Sequence, residues 1–138
     1  MHITLEADYA VRIVTCLAKY NRRLDAKTIS EKSCVTLRFA LKILRKLVEN
    51  GIAKSFKGAT GGYELAKPAN QITLRDVIET VEGTYYFSRC LNENHPPCSQ
   101  SCQCQYQTAF NEITETVREK LESYTFDMFI KEQKRESI

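Results

Sequence analysis

Apolar residues recur at helical spacing along most of this chain and at strand spacing over only two short runs. Over roughly residues 5–20, Tyr9, Ala10, Ile13, Val14, Leu17 and Ala18 form one stripe, which predicts an amphipathic helix capped by Thr4. Cys16 lies beside that stripe and is expected to pack as a small core residue. After the connection Asn21–Leu24, Asp25 is placed to cap a short helix over Ala26–Lys32 with Ile29 inward. Ser33-Cys34-Val35 reads as a tight turn in which Cys34 packs. Thr36 then caps a longer helix over about 37–49, with Leu37, Ala40, Leu41, Leu44, Leu47 and Val48 as its expected buried face. Asn50-Gly51 ends it, since glycine tolerates the left-handed conformation at a helix stop.

Residues 52–57 and 63–65 are the strand candidates, joined by Gly58-Ala-Thr-Gly-Gly62. Three glycines in five residues allow a sharp hairpin tip and close backbone approach to a ligand. No Gly-Lys-Ser/Thr closes this stretch, so it is not a Walker loop. Pro68 marks a break, and Thr73 caps a helix over Leu74–Glu82 whose apolar face is Val77, Ile78 and Val81. Gly83 ends that helix. Pro96-Pro97 forbid helix in the next stretch. Beyond Cys104, Tyr106, Phe110, Ile113, Val117, Leu121 and Tyr124 recur at steps of three and four to about Ser123. So narrow a seam on a polar helix suits packing against another helix, often its own copy. A last short helix, Phe126–Ile130 after Thr125, adds Phe126, Phe129 and Ile130 to a core.

Short helix, tight turn and capped longer helix read as a helix-turn-helix, and the hairpin after it as a wing. The expected fold is mainly α with a small β-wing. The expected divisions are 1–83, a winged helix-turn-helix region for DNA binding, 84–104, a cysteine-rich loop for binding a metal or cluster, and 105–138, a dimerisation helix with a C-terminal tail.

Charge sharpens this picture. Residues 1–70 carry thirteen Lys/Arg against six Asp/Glu, whereas residues 71–138 carry seven against eleven. A basic half joined to an acidic half predicts a polyanion partner for the first half only. On the second helix of the motif, Thr36, Arg38, Phe39 and Lys42 are placed to reach base edges in a major groove, and Arg45 and Lys46 to meet phosphates. Lys57 stands beside the Gly58, Gly61 and Gly62 tip, where it reaches a minor groove or a phosphate. The expected partner is a double-stranded, palindromic operator read by a homodimer.

No apolar run approaches a membrane span and no signal-peptide pattern opens the chain, so the expected location is the cytoplasm, with no membrane partner. Four of the six cysteines, Cys90, Cys98, Cys102 and Cys104, fall within fifteen residues. In a reducing compartment such a cluster is a metal site or a redox switch before it is a structural disulfide framework. Thiolates suit zinc, copper(I) or an iron–sulfur cluster, and a thiol–disulfide switch is a further alternative. No Cys-x-x-Cys zinc knuckle is present. Nothing in the sequence matches a paired-carboxylate, Ser–His–Asp or metal-hydrolase arrangement, and His2 and His95 are its only histidines, so no enzymatic activity is expected.

Four segments carry a family likeness: Asp8-Tyr-Ala-Val-Arg12; Thr28-Ile-Ser-Glu with Leu37–Leu47; Lys57–Pro68; and Ile72-Thr-Leu-Arg-Asp-Val-Ile-Glu-Thr-Val-Glu-Gly83. Together the sequence resembles the Rrf-two family of winged-helix regulators, the group containing IscR, NsrR and RirA. The resemblance implies a transcription regulator that senses iron, redox or nitric oxide status through a 2Fe-2S or 4Fe-4S cluster. The family spacing falls on Cys90, Cys98 and Cys104, with five residues between the last two. For a fourth ligand it points to an acid in the first helix of the other subunit, matched by Asp8, while Cys102 and His95 are further candidates. Gln107 stands where some members have a histidine, and Lys57 where the family usually has arginine. Lysine keeps the charge there but lacks the planar fork.

Overall fold

The computed structural model describes residues 2–88, 91 and 105–130. Cys90, Cys98, Cys102, Cys104, His95 and the tail 131–138 lie outside the described residues.

Four helices begin where a short polar side chain can catch an orphan backbone donor. In α1 (Leu5–Tyr20) the Ala7 N–H donates to Thr4 Oγ1 at 3.1 Å. In α2 (Ala26–Ser33) the Thr28 N–H donates to Asp25 Oδ1 at 3.2 Å. Thr36 caps α3 (Leu37–Glu49), accepting from the Phe39 N–H at 3.5 Å. Thr73 opens α4 (Leu74–Glu82) with a full capping box: Asp76 N–H donates to Thr73 Oγ1, and Thr73 N–H donates to Asp76 Oδ2. A fifth helix, α5 (Gln107–Glu122), starts at Tyr106 without a side-chain cap.

The core gathers around α1, which packs on α2, α3, α4 and the hairpin. Ala10, Ile13, Val14 and Leu17 of α1 meet Ile29, Ala40, Ile43, Leu44, Leu47 and Val77. Cys16 is buried, as expected. The inward face of α3 differs from expectation. Leu37 and Leu41 are 45% and 44% exposed, Val48 is half-buried, and Ile43, not anticipated, is fully buried. The buried residues 40, 43, 44 and 47 define a face rotated away from 37 and 41, and α1 meets α3 on the flank of Phe39 and Lys46, where Tyr9 and Glu6 touch them. Cys34 is exposed and not packed. It is the left-handed cap of α2 (φ 57°), its N–H donating to the Ser30 carbonyl, and Val35 fills the core beneath the turn instead.

The wing is an antiparallel hairpin, β1 (Ala53–Phe56) against β2 (Gly62–Leu65), in register Ala53 with Leu65 and Phe56 with Gly62. Leu24 adds a third edge: its N–H donates to the Tyr63 carbonyl at 2.9 Å, and the Tyr63 N–H returns to Leu24 at 2.7 Å.

After α5 the chain comes back to the core. Leu74 N–H donates to the Tyr124 carbonyl and Phe126 N–H to the Ile72 carbonyl, so residues 72–74 and 124–126 pair across the start of α4. Phe126 is fully buried and begins a helical segment over 126–130. Among its own described residues α5 buries only Thr114 completely. Ile113 is 39% exposed, and Val117 and Leu121 are half-covered, so this part of the predicted seam stays open among the described residues. No helix among the described residues is long and apolar enough to cross a membrane.

Candidate nucleic-acid interface

Burial of Ala40, Ile43, Leu44 and Leu47 turns the opposite face of α3 outward, and Arg38, Lys42 and Arg45 stand on it at steps of four and three. All three are exposed. Thr36 spends its oxygen on the cap, which locks the start of the helix. Phe39 is 41% exposed and its ring meets Tyr9 edge-on at 5.7 Å, so it straddles core and surface. The exposed Leu41 lies among the cations and offers an apolar contact of the kind a thymine methyl accepts.

One acid modulates this face. Glu6, in the first turn of α1, receives a hydrogen bond from Lys46 Nζ at 2.8 Å and lies 3.7 Å from Lys42 Nζ. The Lys46 hydrogen bond, opposed by burial, holds the Glu6 carboxyl below the usual carboxylate range. Lys46 is thereby engaged inside the molecule. Arg38, Arg45, Lys54 and Lys57 form no ion pair among the described residues. Sequence reading passed over Glu6, because forty residues separate it from Lys46.

At the wing tip Lys57 and Gly58 are exposed, and Gly58 takes φ +95°, closed to most side chains. Gly61 and Gly62 have a different reason to be glycine. A Cβ on Gly61 would sit 2.6 Å from the Phe56 carbonyl oxygen, and one on Gly62 2.5 Å from that of Leu24. These two glycines let the hairpin close and lie against residue 24. Arg23 then braces the tip: its guanidinium stacks on the Phe56 ring at 3.5 Å and donates from Nη1 to the Thr60 carbonyl at 3.1 Å. In the sequence Arg23 belongs to the connection Asn21–Leu24, and no local pattern distinguishes it from Arg22.

The sequence leading into the cysteine-rich stretch is pinned. Tyr85 N–H donates to Glu79 Oε2 at 2.7 Å, Phe87 N–H to Thr114 Oγ1 at 3.1 Å, and Arg118 donates twice to the Tyr85 carbonyl, at 2.9 and 2.6 Å. Phe87, just before the stretch, and Tyr106, just after it, both place their rings 5.1 Å from that of Phe110. The two ends of the stretch therefore meet at one residue of α5. Asp8 is 40% exposed at its side chain and pairs with Arg12 at 3.0 Å. The start of α1 also touches the end of α4, where Thr4 N–H donates to Glu82 Oε1 at 2.9 Å. The described residues contain no group of three or more potential metal ligands.

The chain is 26% identical over 132 residues to the HTH-type transcriptional regulator IscR of Pectobacterium carotovorum, spanning 94% of this chain and 79% of that protein. Its fold is that of the T. potens IscR structure, with a TM-score of 0.78 at 21% identity over 100% of this chain and 92% of the other. The structure of CymR (YrzC), the global cysteine regulator of B. subtilis, superposes with a TM-score of 0.73 at 24% identity, over 95% and 97% of the two chains. The mainly helical architecture with a two-stranded wing is thus that of winged-helix regulators. The relatives are transcriptional regulators and not enzymes, in agreement with the lack of a catalytic arrangement in the sequence. Residues 3–132 match the Rrf2 family, described as iron-dependent transcriptional regulator; this chain belongs to that family of DNA-binding transcription regulators.

Proposed function

We propose that the protein is a cytoplasmic, homodimeric regulator that binds a palindromic operator and senses iron, redox or nitric oxide status through an iron–sulfur cluster on Cys90, Cys98 and Cys104. Asp8 or Cys102 completes the ligand set. Arg38, Lys42 and Arg45 meet the major groove, and Lys57 with Gly58 meets the adjacent backbone or minor groove. In this reading residues 1–83 read DNA, 84–104 sense and 105–138 dimerise.

The observation that carries the sensing role is the convergence of Phe87 and Tyr106 on Phe110. It closes the four-cysteine stretch at its base, so less loop entropy is lost when its thiolates gather on one ligand. The donor chemistry fits the group as well. Of the six cysteines, Cys16 is core and Cys34 caps a helix, which leaves four thiols in the 90–104 stretch. When bound, such a cluster supplies redox chemistry and sensitivity to iron supply and nitric oxide. The chain's own residues relay the change. Thr114 and Arg118 tie the base of the stretch to α5, and Glu82 ties the end of α4 to Thr4 at the head of α1. If Asp8 leaves Arg12 for the other subunit's cysteines, the first turn of α1 moves, and Glu6 in that turn holds Lys46 of α3. Dimerisation is supported by the exposed Ile113 on the α5 seam.

Anaerobic reconstitution with iron and sulfide, read by native mass spectrometry, tests this. A dimer carrying a cluster mass is expected, lost in Cys98→Ser. Comparison of Asp8→Ala with Cys102→Ser identifies the fourth ligand. A colourless, iron-free product would favour a thiol–disulfide or zinc regulator instead, a reading that the fold shared with the cysteine regulator CymR keeps in view.

A further inference from the structure

Away from α3 and the wing, α1, α2 and the 126–130 segment enclose an open cavity of about 410 Å³. Its walls mix two chemistries. Val11 and Phe129 are half-buried and apolar, and the buried Cys16 lines the cavity beside them. At its rim Lys19 and Lys32 both lean on the Tyr20 ring, with their ammonium nitrogens 5.7 and 5.8 Å from its centroid. We propose that this cavity binds a small organic carboxylate, with Lys19 and Lys32 holding the charge and Val11 and Phe129 receiving the apolar tail.

Three other polar side chains of the cavity are already engaged. Thr15 donates its hydroxyl to the Val11 carbonyl at 2.7 Å, and Ser33 donates to the Ile29 carbonyl. Arg12 pairs with Asp8. Lys19 and Lys32 have no carboxylate partner among the described residues, yet they converge on one ring. Two like charges gathered at the mouth of a partly apolar hollow are relieved by an anion. The aliphatic stems of both lysines and the Tyr20 ring extend the apolar wall toward the charged rim. A bare inorganic anion would leave Val11 and Phe129 wet, whereas a carboxylate with a tail covers both chemistries. The volume falls within the range of small-ligand sites, about 300–1,000 Å³. Burial pushes the Cys16 thiol up, against the pull of Lys19 and Lys32, so it serves as a neutral, polarisable wall and not as a nucleophile. No lining residue comes from α3 or the wing, so the ligand is distinct from DNA.

Titration calorimetry of the full chain with sodium benzoate, in sodium chloride of matched ionic strength, tests the proposal. Saturable benzoate binding is expected, with sulfate clearly weaker. Lys19→Gln/Lys32→Gln should lose at least about tenfold in affinity as two charge-assisted bonds go. Lys27→Gln/Lys67→Gln, which removes two exposed lysines elsewhere, should bind as the parent does. No binding, sulfate equal to benzoate or an unchanged Lys19/Lys32 variant would each overturn it. Because the readout is ligand binding by the free protein, failure here leaves the operator and cluster reading standing, and the reverse also holds.

Discussion

At the scale of single residues, the proposed interface gives the exposed cations of α3 and the wing different shares of binding. Arg38 sits in the first turn of the recognition helix on its outer face. Arg38→Ala should cost about 1–3 kcal/mol of operator affinity and relax preference at one base pair. Lys57→Ala should weaken all sequences alike and lower the salt slope by about one. Fluorescence anisotropy across a salt series separates the two, and if neither variant changes binding the interface lies elsewhere. Glu6 makes an opposite pair of effects testable in one variant. Glu6→Gln removes the acceptor of Lys46 and the neighbour of Lys42, so stability should fall by about 0.5–1 kcal/mol in urea unfolding. DNA affinity should rise in the same protein, because two lysines are released to phosphates. A variant that weakens both would mean that Glu6 orients α3 and does not compete for its charges.

At the scale of elements, caps and glycines act on different things. Thr73→Ala breaks a capping box at the start of α4, at a cost of about 1 kcal/mol, with operator affinity per folded molecule unchanged. Gly62→Ala drives a methyl into the Leu24 carbonyl and should lift β2 from residue 24. It is expected to destabilise by about 1–3 kcal/mol and to weaken DNA binding as well, since Lys57 and Gly58 ride on that hairpin. Equal DNA affinity in the two variants would show that the wing makes no contact. The caps at Thr4, Asp25, Thr36 and Thr73 are all legible in the sequence, because each couples residues only three positions apart. The orientation of α3 was not. Leu37 and Leu41 fit an apolar stripe as well as Ile43 does, and only the approach of α1 chose between them.

At the scale of the whole molecule, α5 is the helix that buries least among the described residues, with only Thr114 fully covered. Its N-terminal half touches the base of the cysteine stretch through Phe110 and Thr114, and its C-terminal end is clasped to α4 by Arg75 with Glu122 and by the pairing of Thr73 with Thr125. Between them Ile113 is exposed and Val117 half-buried among the described residues, the surface that the proposed dimer would use. Ile113→Glu/Val117→Glu should convert a dimer to a monomer in light scattering. The monomer should retain helical content and lose tight operator binding, since two half-sites must be held together. A dimer that survives this pair would move the interface off α5.

The sequence alone determined the elements, their caps, the wing and the family, because these follow from hydrophobic periodicity and contacts a few residues long. It also marked the cysteine-rich stretch as the chemical centre, from side-chain type and spacing. Tertiary structure decided which face of α3 is free, that Glu6 holds Lys46, that Arg23 braces the wing, and that Phe126 returns to Ile72. It also brought Phe87 and Tyr106 to one ring at the foot of the cysteines. Each of these joins residues tens of positions apart, where many pairings satisfy the same local pattern and only the packing of the whole chain selects one.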